Sequence, residues 1–170
     1  PFFLGMADAI KKAGIRAFGP SKAAAQIEGS KVFSKNLMKK YNIPTAGYDV
    51  FDDPREALKF IKNRGEYPAV IKADGLALGK GVIIAENYEE AQSAVHSIME
   101  DKIFGASGSK VVIEEFLEGP EVSVLAFTDG KALKPMVSSK DHKQAFDDDK
   151  GPNTGGMGTI SPNPYYTKEI

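Results

Sequence analysis

Residues 70–82, VIKADGLALGKGV, run an apolar strand pattern straight into a loop with three glycines, and Lys72 stands inside the apolar run. Strand alternation puts Val70 and Lys72 on one face of the segment Ala69–Ala73, with Ala69, Ile71 and Ala73 on the other. An ammonium group on an inward face is costly unless a counter-charge meets it. Two sources are open: the phosphates of a nucleotide, or a neighbouring carboxylate such as Asp74. The loop glycines Gly75, Gly79 and Gly81 leave backbone N–H groups accessible to an anion.

The loop matches neither familiar phosphate fingerprint. GLALGKG is one residue short of the Walker spacing and has Gly81 where a hydroxyl residue belongs, and Ile84 stands where a dinucleotide loop has its third glycine. It leads into a strand, so no helix N-terminus aims at a ligand there. The segment therefore reads as a hairpin flap over phosphates, with Lys80 on the flap and Lys72 beneath it.

At 170 residues the chain is long enough for one domain or two small lobes. Apolar periodicity predicts a helix from Met6 to Ala13 stopped by Gly14, then a short strand at IRAF. Ser21 is placed to cap KAAAQIE, and Ser30 to cap a helix from Lys31 to Tyr41 with Phe33, Leu37 and Tyr41 on one face. GYDVF is a strand. The next segment has Asp53 as cap, Pro54 in the first turn, Glu56 closing a capping box and Gly65 ending the helix. AVIKA and GVIIAE flank the glycine loop as strands. Asn87 with Glu90 opens a helix whose Ala91, Ala94, Val95 and Ile98 face inward. KVVIEEFL, EVSVLAFT and KALKPMV are three further strands, the last two joined by TDGK. Residues 138–164 read as loop. The order predicts an α+β fold with a small nucleotide-binding lobe of strand–loop–strand–helix–strand type.

Composition narrows the class. The 22 basic residues nearly cancel the 23 acidic ones, so no global field calls for nucleic acid or an anionic membrane. The chain has no cysteine, which excludes disulfides and thiolate metal sites and fits a cytoplasmic setting. No apolar run approaches the ~20 residues needed to span a bilayer. The apolar-then-basic start PFFLGMADAIKK and the end NPYYTKEI read as cuts within a longer protein.

Two more segments carry chemistry. GPNTGGMG has a stiff entry at Pro152, polar groups on Asn153 and Thr154, and glycines at 155, 156 and 158, a composition suited to a carboxylate or phosphate. A surface turn is the alternative. EEFLEGPE ends a strand with Glu114 and Glu115 and starts another segment with Glu121. Such a connector can offer backbone groups to an adenine edge, and its carboxylate can accept ribose hydroxyls; a charged surface turn is the alternative. The acidic run Asp147, Asp148 and Asp149 reads as a solvated face.

Taken together, EGSK, IKADGLALGKGV, VVIEEFLEGPEVSVL and DHK followed by GPNTGGMG resemble the phosphoribosylamine–glycine ligase (glycinamide ribonucleotide synthetase) family of ATP-grasp enzymes, over essentially the whole chain. The resemblance implies a partial ATP-grasp fold. Residues 1–30 are then the end of a preceding domain and linker, 31–137 the ATP-binding lobe, and 138–170 the truncated start of the substrate-side lobe. It implies ATP-binding roles for Lys31, Lys72, Asp74, Gly75, Gly79, Lys80, Gly81, Glu114, Leu117 and Glu121. Leu117 acts through its backbone at the adenine, and Glu121 meets the ribose. On the substrate side it implies Asp141, His142, Lys143, Asn153, Thr154, Gly155 and Gly156.

The implied reaction joins glycine to 5-phosphoribosylamine through glycyl phosphate, with ATP as substrate and Mg²⁺ or Mn²⁺ on the phosphates. Fusion or association with other purine-pathway enzymes is also implied. Two departures stand out. Gln144 replaces the arginine that usually follows DHK, and the family's metal-binding carboxylate and asparagine lie beyond Ile170. No metal ligand is therefore assigned within the chain, no catalytic residue is named, and the segment alone is expected not to turn over. The competing readings are another ATP-grasp carboxylate–amine ligase or carboxylase, and a non-catalytic nucleotide-binding module.

Overall fold

The computed structural model describes residues 1–77, 81–148 and 150–167, with Pro152 and Asn153 described for their backbone alone. The chain divides into two compact units, Pro1–Leu117 and Glu118–Ile170.

The first unit is built on a four-stranded sheet with strands β1 (Tyr48–Phe51), β2 (Ala69–Ala73), β3 (Val82–Ala85) and β4 (Val111–Glu115) in the order β1-β4-β2-β3. Every neighbouring pair is antiparallel, and Ile71 stands opposite both Ile83 and Ile113. Helices α4 (Pro54–Arg64) and α5 (Tyr88–Val95) lie against this sheet. The core between them gathers Ala57, Ile61, Ile71, Ala73, Ala91, Ala94, Val95, Ile98, Val111 and Ile113. Full burial of each large aliphatic side chain contributes about 1.5–3 kcal/mol, so this layer dominates the stability of the unit.

Local signals fix the ends of both helices. Asp53 Oδ1 accepts from the backbone N–H groups of Arg55 at 2.7 Å and Glu56 at 3.4 Å, Pro54 sits in the first turn, and Gly65 ends α4 at φ 63°. At α5 the exchange is reciprocal: Asn87 Oδ1 accepts from Glu90 N at 2.9 Å, and Asn87 Nδ2 donates to Glu90 Oε1 at 2.8 Å. Past Val95 the helix widens into a π-turn over His96–Glu100, which keeps Ile98 and Met99 buried. The expected inward set of Ala91, Ala94, Val95 and Ile98 is buried throughout.

Ahead of the sheet lie α1 (Met6–Lys12), α2 (Gln26–Gly29) and α3 (Lys31–Lys40). Three expectations need correction here. IRAF forms no strand: Ile15 and Phe18 are exposed, and the segment joins none of the described sheets. Ser21 Oγ accepts from Ala24 N at 3.2 Å, as a cap would, but the helix itself is confined to α2. On α3 the face of Phe33 and Tyr41 is exposed, and the buried residue is Lys35. The opposite face of the helix is the one turned inward, and it carries a cation that a carboxylate meets.

The second unit holds two hairpins. Strands β5 (Ala126–Thr128) and β6 (Leu133–Pro135) are joined through the expected turn, though both are shorter than the apolar runs suggest. Strands β7 (Lys140–Phe146) and β8 (Lys150–Ile160) form the longer hairpin. This overturns the reading of 138–164 as loop. Glycine and charged residues give no apolar alternation, so the strand period is invisible, yet the backbone ladder forms without it. Asn163, buried beside this hairpin, donates to Glu121 O at 2.9 Å and Ser139 O at 3.1 Å.

Candidate functional site

Register decides what shares a surface with Lys72. Val70 pairs with Glu114 and Lys72 with Val112, so Lys72 and Glu114 are diagonal neighbours on the sheet face opposite the Ile71 layer. Lys72 Nζ donates to Glu114 Oε2 at 2.8 Å. The same oxygen lies 3.1 Å from Lys35 Nζ. Lys35 comes from α3, is buried, and also donates to Thr45 Oγ1 at 2.8 Å and Ala46 O at 3.1 Å. Its ammonium lies 5.4 Å from the centre of the Tyr48 ring. Of the two sources of counter-charge open for Lys72, a carboxylate is present, and it is Glu114.

Asp74 has another task. Its Oδ1 accepts from Ser30 Oγ at 3.0 Å and Val32 N at 2.8 Å, and its carbonyl accepts from Lys31 N at 3.1 Å. Ser30 Oγ in turn accepts from Phe33 N at 3.0 Å, completing the helix cap. The start of the glycine loop is thereby stapled to the N-terminus of α3, which brings Lys31 in beside the sheet. Lys31 Nζ donates to Gly75 O at 3.1 Å. Burial holds the Lys31 pKa below the ordinary lysine value, against the pull of Asp74; Lys72 lowers it further and Glu114 raises it. Lys31 and Lys72 are thus close enough to repel, with Asp74 engaged by Ser30 and Val32 and Glu114 shared between Lys72 and Lys35. Two ammonium groups held this close can accept a further anion between them.

The glycines at the loop ends have a packing reason beyond open amides. A Cβ on Gly75 would stand 2.4 Å from Ser107 Oγ, and one on Gly81 would stand 2.5 Å from Ala77 Cβ. Ser107 Oγ donates to Leu76 O at 3.1 Å, tying the loop to the short 3₁₀ turn Gly105–Ser109. Gly79 and Lys80 lie outside the described residues. Leu117 is exposed at the end of the first unit, and Glu115 Oε1 accepts from Gly47 N at 2.7 Å.

In the second unit the structure gathers Glu121, Asp141, Lys143, Thr154 and Gly156. Lys143 Nζ pairs with Glu121 and lies 3.9 Å from Asp141 Oδ2. Opposite Lys143 the ladder jumps: His142 pairs with Gly158 and Gln144 with Asn153, so 154–157 bulge out of β8. Thr154 Oγ1 shapes the bulge, donating to Lys143 O at 2.8 Å and accepting from Gly156 N at 3.0 Å. Gly155 lies in the bulge, and a Cβ there would meet nothing within 4 Å. Gly156 has φ 117°, with Asp141 Oδ1 3.3 Å from where its Cβ would be. His142, next to Asp141 along β7, lies on the opposite face of the strand from Asp141 and Lys143. Asn153 contributes its backbone pairing with Gln144, whose Oε1 is buried without a hydrogen-bond partner among the described residues.

Sequence reasoning missed Lys35 and Ser107. A usable signal existed for the first: Lys31 and Lys35 are four apart, hence on one face of α3. Among the described residues no three His, Cys, Asp or Glu side chains gather in a way that could hold a metal ion. No described helix is long and apolar enough to cross a membrane.

The family model for the ATP-grasp (A) domain of phosphoribosylglycinamide synthetase matches residues 29–170. The phosphoribosylamine–glycine ligase of Clostridium acetobutylicum is 57% identical over 170 residues, covering 100% of this chain and 41% of its own length. The trifunctional purine biosynthetic protein adenosine-3 of Gallus gallus is 52% identical over 171 residues, covering 100% of this chain and 17% of its own. The crystal structure of the Thermotoga maritima phosphoribosylamine–glycine ligase superposes with a TM-score of 0.76 at 43% identity, over 84% of this chain and 36% of that one. The chain spans about two fifths of the length of the bacterial ligase it matches.

Proposed function

Because the chain belongs to the phosphoribosylglycinamide synthetase ATP-grasp (A) domain family, we propose that it supplies the ATP-binding part of an enzyme that joins glycine to 5-phosphoribosylamine. In that reaction the glycine carboxylate attacks the γ-phosphorus of ATP, releasing ADP and leaving glycyl phosphate. The amine of 5-phosphoribosylamine then attacks the acyl carbon and expels phosphate, giving glycinamide ribonucleotide. No covalent bond to the protein is needed. Its contribution is to hold the reactants in line and to neutralise the phosphates.

The observation that carries this reading is the convergence of Lys31 and Lys72, placed from a helix and a strand and joined through Asp74, Gly75 and Glu114. Lys31 and Lys72 meet the phosphates, and residues 74–82 cover them. The Leu117 backbone meets the adenine edge and Glu121 the ribose hydroxyls. Glu114 serves the same site by holding Lys72. Asp141, His142, Lys143 and 153–156 line the side where glycine and the amine react. Magnesium or manganese is the expected companion of the phosphates in this family. Among the described residues no group of three or more His, Cys, Asp or Glu side chains assembles that could hold either ion. Likeness to the chicken trifunctional protein supports fusion or association with other purine-pathway enzymes, and the absence of cysteine supports a cytoplasmic setting.

The test is calorimetric titration of ATP into the complete polypeptide carrying Lys31→Met, Lys72→Met or both. Each charge-assisted contact contributes about 1.5–3 kcal/mol, so the double variant loses at least ~100-fold in affinity. Unchanged ATP affinity in the double variant overturns the reading.

A further inference from the structure

We propose that Lys35 is a positioning residue for nucleotide binding: it stays on Glu114 as a standing counter-ion, so that Lys72 is free to leave that carboxylate for an arriving phosphate. The proposal rests on the reading of Lys31 and Lys72 as the phosphate-binding pair.

The two ammonium groups on Glu114 Oε2 are not equivalent. Lys35 is buried and held by Thr45 Oγ1 and Ala46 O in addition to Glu114, with its charge 5.4 Å from the Tyr48 ring centre. These partners come from the segment between α3 and β1 and from the start of β1, which fix the ammonium from several sides. Lys72 keeps a quarter of its side chain exposed (25%), and the hydrogen bond it makes among the described residues goes to Glu114. Lys72 is therefore the movable member and Lys35 the fixed one.

The asymmetry matters because Glu114 is buried. A buried carboxylate stripped of its last counter-ion is strongly unfavourable. If Lys72 were the sole partner, each phosphate it greeted would strand Glu114, and much of the phosphate attraction would be cancelled. With Lys35 at 3.1 Å the carboxylate stays compensated after Lys72 turns away. One ion pair is exchanged for another, and the attraction to the phosphate is kept. Lys31, whose ammonium rests on a carbonyl instead of a carboxylate, has no such pair to break among the described residues.

In the complete polypeptide, affinity is measured for ATP and for adenosine, which lacks the phosphates. Lys35→Met binds ATP about tenfold more weakly, the loss expected for one charge-assisted contact. Its adenosine affinity stays within about twofold, because the Lys72 exchange is not called on. Lys35→Arg keeps the counter-charge on Glu114 and retains ATP affinity. Should Lys35→Met fail to fold, Thr45→Val loosens the same ammonium and weakens ATP about threefold with adenosine unchanged. Equal losses for ATP and adenosine overturn the proposal in favour of a purely structural lysine, as does unchanged ATP affinity. Lys72→Met separates the two levels. If it weakens ATP while Lys35→Met does not, the exchange falls and the phosphate-binding pair stands. If it leaves ATP affinity untouched, the pair itself falls.

Discussion

Asp74 caps a helix that begins more than forty residues before it: its Oδ1 accepts the Val32 backbone N–H at 2.8 Å, and Ser30 Oγ donates to the same oxygen at 3.0 Å. The first residue of the glycine loop thus sets where α3 starts, and through it where Lys31 points. Replacing Asp74 by Ala removes both bonds and the negative charge at the helix N-terminus. A lost cap costs about 0.5–2 kcal/mol, and urea denaturation of the chain reads that loss. Asp74→Asn keeps an acceptor and retains the larger part of it. Stability unaltered by Asp74→Ala would mean that the carboxylate serves only a ligand.

Lys31 makes a prediction whose sign is unusual for a charged group in a binding site. Its folded-state pKa lies below the ordinary 10.5, chiefly because burial disfavours the ammonium. Between the depressed value and 10.5 the unfolded chain binds more protons than the folded one, so stability rises with pH across that window. Below the window the penalty is fully present. Lys31→Met removes it, so the variant melts no lower than the wild type at pH 7, despite losing the bond to Gly75 O. The wild type then gains on the variant as pH climbs through the window. Thermal melts over a pH series check both halves, and a variant clearly less stable at neutral pH refutes the burial argument.

Much of this was legible because single residues announce it. Asp53, Pro54 and Gly65 mark α4, Asn87 with Glu90 marks α5, and the alternation of AVIKA separates Lys72 from Ile71. What stayed hidden shares a physical feature: the deciding interaction lies far away in sequence. Glu114 as partner of Lys72 depends on the register of β2 with β4, which no local pattern encodes. Lys35 reads as a surface residue until the sheet brings Glu114 beneath it. The β7–β8 hairpin escaped because backbone pairing holds it while its glycines and charged residues give no apolar alternation.

Gly75 offers a direct test of packing against amide exposure. Its Cβ would fall 2.4 Å from Ser107 Oγ and 2.8 Å from Ser107 Cβ, with Ser107 Cα at 3.1 Å. Gly75→Ala therefore pushes the loop off the Gly105–Ser109 turn, and overpacking of this kind costs about 1–3 kcal/mol. Ser107→Gly in the same chain clears the two nearest atoms and recovers most of the loss, short of the contact with Cα. A double-mutant cycle by urea denaturation measures the coupling. Purely additive effects would show that Ser107 is not what excludes a side chain at 75.

Two adjacent glycines in the β8 bulge are expected to behave differently, and the difference comes from backbone angle. Gly156 sits at φ 117°, where an L side chain is strained wherever space allows it, and its Cβ would also press on Asp141 Oδ1 at 3.3 Å. Gly155 has open space around its Cβ position within 4 Å and no left-handed φ. Gly156→Ala therefore costs about 1–3 kcal/mol and weakens amide-exchange protection along β7 and β8. Gly155→Ala changes that protection by no more than about 0.5 kcal/mol, the range of an unstrained surface substitution. The bulge faces Lys143, whose ammonium bridges toward Glu121 and Asp141, so collapse of the bulge moves all three charges together. Equal protection in the two variants would remove the backbone reason for the second glycine, and with it the argument that the bulge is held in shape to position Lys143.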